Sequence, residues 1–218
     1  MSGAQQVVFQ NQRSFVTLPD IGEAYEGGYF AGQISTAGNG TADYNIVVGP
    51  LSTTDAAKQW KNATSATAGT FSLIDGPQNT ADIVALGSST VYPAAHFCNS
   101  LTVGGFSDWY MAAQNELEVC YFNLKPNTTV NSAGYPISGN ANAVPALAGP
   151  YTSGDPAQTS AAVFQTGGAQ AYAGTPYWVS AQGTAAGFGW CVSFERGSQT
   201  NYFKTSFYRV RAVRRVAV

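Results

Sequence analysis

One stretch of the chain carries a clear helical period. Leu117, Cys120, Tyr121 and Leu124 recur at three- or four-residue spacing, which predicts a helix from about Ala113 that ends before Pro126. Glu116 and Glu118 fall in its first turn, where free backbone N–H groups favour negative charge. Just upstream, Gly104-Gly105 allows a tight turn, and Phe106, Trp109 and Tyr110 suit a half-buried strand. Asp108 stands among these aromatics as a charge that needs a partner.

Elsewhere the pattern alternates or disappears. Gly28–Ile34 and Tyr44–Val48 flank Gly38-Asn39-Gly40 and predict a β-hairpin. Thr53-Thr54-Asp55 offers an N-cap for a short helix reaching Trp60. Residues 62–80 are polar and predict a loop with a turn at Asp75-Gly76-Pro77, followed by a helix over Ser89–Leu101. Residues 127–173 are rich in Pro, Gly, Ala, Ser and Thr, with Asp155 as the single charge, and predict a long variable loop and contact surface. Strand signals then follow at Tyr177–Ser180, Phe188–Phe194, Thr200–Lys204 and Tyr208–Val213. Strands and helices do not alternate regularly, so the fold class is α+β. Residues 1 to about 20 read as an arm contacting another chain. The organisation is therefore an N-terminal arm and hairpin over 1–50, used in assembly, and a main domain over 51–218.

Composition narrows the chemistry. Only 10% of residues are charged, whereas 24 glycines and 13% aromatics suit short strands joined by tight turns. A net charge of −2 gives no reason to expect nucleic-acid or membrane-surface binding, and no run is long enough to span a bilayer. The basic residues concentrated after position 195 read as strand residues pairing with carboxylates. Cys98, Cys120 and Cys191 lack metal-ligand spacing and read as buried free thiols, with a Cys98–Cys120 bridge left open. His96 is the single histidine, without a nucleophile motif beside it, and reads as structural. Glu116 and Glu118, two apart on a helix, point to different sides and do not form a glycosidase pair. No catalytic residue, metal or cofactor is expected.

Several separated motifs share an order. Gly105-Phe106-Ser107-Asp108-Trp109-Tyr110 with Asn115-Glu116-Leu117, then Tyr177-Trp178-Val179-Ser180, Gly189-Trp190-Cys191-Val192-Ser193-Phe194 with Gly197, and Val210-Arg211-Ala212-Val213-Arg214 resemble the DUF1566 type of C-type-lectin-like domain. Upstream, Gln59-Trp60-Lys61, Asp75-Gly76, Asn79-Thr80 and Tyr92–Cys98 are similar to phage members of that family. Met111-Ala112 departs from the Leu-Pro common there.

The resemblance implies short helices around a small antiparallel sheet, with Trp109 and Trp178 structural. It suggests a buried pair between Asp108 and Arg211, with Arg209 or Arg214 as the other candidates. It implies a non-enzymatic phage virion protein, of tail fibre, tail tip or surface, that attaches to a host surface glycan or protein. Its partners would be other virion subunits and copies of itself, as a homo-oligomer, with a trimer as one arrangement. A capsid or tail decoration protein is the alternative. An enzyme of the formylglycine-generating type is a further one, disfavoured because Cys191 stands alone. No Glu-Pro-Asn or Trp-Asn-Asp calcium motif occurs, so sugar contact is expected from aromatic faces: Tyr151 and Tyr172 exposed in the long loop, with Tyr177 and Phe188 as further candidates that read better as core.

Overall fold

The computed structural model describes residues 18–218, and all but the last few residues of the arm expected over 1 to about 20 lie outside them. Strand β1 (Ala24–Tyr25) leads into the hairpin of β2 (Gly28–Ile34) and β3 (Tyr44–Val48), which pair antiparallel with Tyr29 opposite Val48. The hairpin supplies Ala31, Ile34, Ile46 and Val48 to the same apolar cluster as Leu117 and Val213.

The expected helix through Trp60 is instead one turn, α1 (Leu51–Thr54), followed by strand β4 (Asp55–Gln59). Ala, Lys and Gln favour helix locally, but pairing with the last strand overrides that preference. Asp55 does not cap a helix because its carboxylate is taken by Arg209 and Tyr177.

The last five residues of the segment expected to be a loop begin α2 (Gly76–Leu86). Asp75 Oδ1 accepts from Gln78 N at 3.2 Å, and Pro77 sits in the first turn, where a missing N–H costs nothing. Helix α3 (Pro93–Asn99) is shorter than expected, since the residue before a proline avoids helical geometry.

The strand expected from Phe106 reduces to β5 (Tyr110–Met111), and α4 (Gln114–Leu124) follows as the spacing predicts. Between residues 127 and 173 the regular structure is a short strand, β6 (Ala143–Val144), and one turn of 3-10 helix over Ala162–Phe164. The four strands predicted near the end are present as β7 (Pro176–Gln182), β8 (Phe188–Ser193), β9 (Gln199–Phe203) and β10 (Phe207–Ala217).

The last strand unites the sheet. Residues 207–211 pair antiparallel with β4, and residues 212–217 pair with β3 and β5, while Arg209 bridges in parallel to Tyr177 of β7. The result is a mixed α and β fold with ten strands in one open sheet and few short helices. Three tryptophans fix its interior: Trp60 Nε1 donates to Val179 O, Trp178 Nε1 to Lys58 O, and Trp109 Nε1 to the carbonyls of Val103 and Phe106. Each indole thus buries its ring and satisfies its N–H.

The 127–173 segment is irregular but packed. Tyr151, Phe164 and Tyr172 are buried, and the Tyr172 ring stacks on Phe194 with centroids 3.7 Å apart. Asn131 accepts from Tyr121 Oη and donates to Thr152 O and Pro156 O, and Lys125 Nζ also donates to Pro156 O. Side-chain amides and carbonyls here replace the ladder bonds that a strand would supply.

Glu118 anchors the same segment, accepting from Asn140 Nδ2 at 2.5 Å and from Tyr151 Oη. Among the described residues no cation bonds it, and burial pushes its carboxyl up from the usual 4.5. An acid whose folded pKa lies above its unfolded value makes the protein less stable as pH rises between the two. In urea titrations from pH 4 to 7, Glu118→Gln should therefore lack part of the wild-type decline with rising pH. Identical slopes would show that the Glu118 pKa is not raised in the folded state.

Candidate functional site

Three of the four aromatics expected at a sugar site lie inside the protein. Tyr151 and Tyr172 are 5% and 3% exposed and Tyr177 is fully buried. The first two sit in a polar stretch, yet the loop folds inward over α4, and their rings fill the space between that helix and β7–β8. They therefore form no contact surface, which corrects the expected exposure. Phe188 is half-buried beside exposed Phe203, with centroids 4.5 Å apart.

The expected Asp108–Arg211 pair is also corrected. Asp108 binds Arg214 through two bonds, Nε to Oδ1 at 2.7 Å and Nη2 to Oδ2 at 2.9 Å, and its side chain is half exposed. The register explains this: Tyr110 opposes Val213 and Met111 opposes Ala212, so residues ahead of Tyr110 run beside those after Val213. Arg211 lies at the other end and is buried against carbonyl oxygens.

Several reactive groups are sequestered. Cys98, Cys120 and Cys191 are free and buried, and burial pushes the Cys120 thiol up to about 12. His96 Nε2 lies 2.6 Å from Gly87 O. Lys204 is pushed down to about 8 by burial and by the charge of Lys61. Its ammonium donates to Ser65 O, Thr67 Oγ1 and Gln182 Oε1 under the Trp60 ring, so it clamps a loop and is closed to a substrate. Glu116 is fully buried, accepting from Tyr110 Oη at 2.5 Å, Ala113 N at 2.7 Å and Arg215 Nε at 2.7 Å. Burial raises its carboxyl, and Arg215 is the largest opposing influence. Among the described residues no group of three or more His, Cys, Asp or Glu could hold a metal ion.

A cleft of about 380 Å³ opens between the start of α4, the 135–142 loop and the β8–β9 hairpin. That volume is within the usual range for small-molecule sites, roughly 300–1,000 Å³. Among the described residues its lining holds no charged residue. Gln114 and Asn115 enter from the first turn of α4. Trp190 enters from β8, and Gln199, which opposes Val192, lies on the Trp190 face of the hairpin. Tyr135 and the 79%-exposed Ile137 form the opposite lip.

This geometry is braced from behind. Asn115 Nδ2 donates to Asn142 Oδ1 at 2.8 Å, Asn142 Nδ2 donates to Ser35 O, and Asn140 Nδ2 donates to Asn115 O. Gly139 adopts a φ of +69° with Leu147 O only 2.3 Å from where a Cβ would stand, so only glycine lets the loop close here.

Hydrogen-bonding capacity remains unused in the cleft. Gln114 Nε2 donates to Gln199 Oε1 at 2.6 Å, while Gln114 Oε1 is buried without a partner. An unpaired buried acceptor costs about 1–3 kcal/mol. Among the described residues Gln199, 7% exposed, has no partner for its Nε2, nor has Trp190 for its Nε1. Such a site can orient a neutral polar ligand and stack a ring. Of these residues, the sequence reading used Trp190 and Asn115 only as parts of motifs and missed Gln114 and Gln199, which no local pattern marks. No family model and no curated protein matches the chain.

Proposed function

We propose that this chain is a non-enzymatic recognition module of a phage virion, built on a C-type-lectin-like domain, which attaches to a bacterial surface receptor through the uncharged cleft. The carrying observation is the cleft itself: an exposed, braced and uncharged pocket of aromatics and amides, in a protein whose three thiols and two α4 glutamates are buried. The motif order, the terminal strand running through the middle of the sheet and the buried Trp109 and Trp178 support the lectin-like assignment. The module works within a homo-oligomer joined to other virion subunits.

The test is saturable binding of the labelled full chain to candidate host bacteria, with Trp190→Ala and Ile137→Asp as cleft variants whose melting temperatures are measured alongside. Binding that both folded variants lose supports the reading; no binding by the assembled wild type to its host sinks it. Replacing the 127–173 loop would be a poor probe, since Tyr151, Phe164 and Tyr172 belong to the core.

A capsid or tail decoration protein is the second reading. An apolar groove of about 290 Å³ between β2 and α4, lined by Phe30, Val119 and Phe122 among others, favours it as a surface for a neighbouring subunit. Co-sedimentation with virions in the absence of host-cell binding would select this reading.

A further inference from the structure

Resting on the recognition reading above, we infer that two copies of this chain join antiparallel through strand β9 into one continuous sheet, which presents both clefts on the same face as a bivalent unit. Strand β9 ends the sheet order, with β8 as its single strand partner among the described residues. The register shows which of its backbone groups are engaged. Ser193 N donates to Ser198 O and Lys204 N to Gly187 O, so Ser198, Thr200, Tyr202 and Lys204 bond toward β8. Gln199, Asn201 and Phe203 therefore point their N–H and C=O groups away from it. Among the described residues Asn201 N, Asn201 O and Phe203 N have no partner, while Phe203 O accepts from Ser206 N and keeps a second lone pair. At the other end of the sheet, β2 is covered by β1 and β6.

This edge lacks the devices that keep such strands apart. Free edges are ordinarily blunted by charge, proline or a bulge. Gln199–Phe203 contains neither charge nor proline, and its register on β8 runs without a shift. The strand also complements itself, which favours a second copy as its occupant. With Tyr202 of one copy opposite Tyr202 of the other, Asn201 N meets Phe203 O and Phe203 N meets Asn201 O across the two-fold axis. Thr200 then opposes Lys204, whose ammonium is turned inward onto Ser65, Thr67 and Gln182, so no like charges face each other. The exposed Phe203 ring gains cover beside Asn201.

The axis of such a pair stands perpendicular to the sheet, so side chains on one face of one copy share that face with their counterparts in the other. Trp190 and Gln199 line the cleft from one face of the hairpin, so both clefts open to the same side. Counting residues from Gln199 to Tyr202 and out again places them roughly 20 Å apart along the strands, at about 3.3 Å per residue. Two sites so joined raise apparent affinity about 10²–10⁴-fold when both engage, with no new contact to the receptor.

Sedimentation velocity of the full chain across a range of concentrations should show a monomer–dimer equilibrium. Phe203→Lys, which charges the edge, and Asn201→Pro, which removes an N–H that no strand uses, should both give monomers with nearly unchanged melting temperatures. Phe71→Lys, at an exposed aromatic outside β9, is the control and should keep the dimer. Tyr202→Cys should form a disulfide-linked dimer on mild oxidation, because opposed residues of this kind have Cα atoms about 4.5 Å apart and the native thiols are buried. Phe71→Cys should not. A monomeric wild type, an oligomer that withstands both edge variants, or cross-linking as ready in Phe71→Cys as in Tyr202→Cys overturns the inference. Host-cell binding is read on the same samples, and the monomeric variants, whose clefts are intact, should bind about a hundredfold more weakly than wild type. Equal binding by monomer and dimer overturns the bivalent unit. A dimer that binds no host cells counts against the recognition reading and leaves the β9 pairing standing.

Discussion

Arg215→Met is expected to destabilise the protein by about 3–5 kcal/mol, because it strands the buried Glu116 carboxylate without its cation. At roughly 2–4 °C per kcal/mol for a chain of this size, the melting temperature should fall by about 6–20 °C. Arg215 is a hub: Nε binds Glu116, Nη2 donates to Ile74 O, and the guanidinium lies 5.1 Å from the centroid of Tyr44. Glu116 in turn closes the first turn of α4 by accepting from Ala113 N, so one ion pair joins the last strand, the start of α4 and the approach to α2.

The pH dependence gives the mechanism a signature. Arg215 is what restrains the Glu116 carboxyl against the upward push of burial, so its removal leaves that push unopposed by the guanidinium. The variant should therefore be most stable below the unfolded glutamate value of 4.5 and lose stability as pH rises from there to the folded pKa. Adding Glu116→Gln to Arg215→Met should recover part of the loss at pH 7. Urea denaturation at pH 4.5 and 7 checks both statements; a loss below about 1 kcal/mol at pH 7, or one independent of pH, would rule out the stranded charge.

The elements that the sequence disclosed are those whose apolar residues mark them. Helix α4 carries Leu117, Cys120, Tyr121 and Leu124 at helical spacing, and strands β7 to β10 are rich in aromatic and β-branched residues, although β7 and β10 each bury five residues in a row instead of alternating faces. Helix α2 escaped because it buries polar residues. Asn79 donates to Ser72 O and Ser180 Oγ, and Thr80 exchanges bonds with Met111, so a helix facing the core looked like solvent-facing loop. Glu116 and Glu118 misled in the same way: helix-end charge accounts for one favourable influence but not for complete burial, which depends on Arg215 and on Tyr151 and Asn140. The cleft was illegible for a different reason. Gln114 and Gln199 meet across 85 residues of chain, and Tyr135 and Ile137 come from a segment without periodicity, so no local pattern joins them.

Arg211 shows what a buried cation does in this fold when no carboxylate binds it. It is 1% exposed, and its fork is satisfied by carbonyl oxygens: Nε to Gly49 O at 2.9 Å, Nη1 to Gln170 O at 2.8 Å and Nη2 to Gln170 Oε1 at 3.1 Å. Its guanidinium also lies 4.6 Å from the Tyr172 ring centroid, so it fastens the end of the 127–173 segment to the sheet. Arg211→Met keeps much of the volume but leaves two backbone carbonyls without this donor, at about 1–3 kcal/mol each. The expected loss is about 2–5 kcal/mol, and it should be largest locally. Gln170 Oε1, no longer held by Arg211, also accepts from Leu51 N, so the Leu51 amide should exchange with deuterium faster while amides of α4 keep more of their protection. Arg211→Lys preserves the charge but cannot span Gly49 and Gln170 with a planar fork, so it should fall between wild type and methionine. Unchanged stability in Arg211→Met, or exchange that accelerates equally in α4 and at Leu51, would show that Arg211 is not the fastening between the segment and β10.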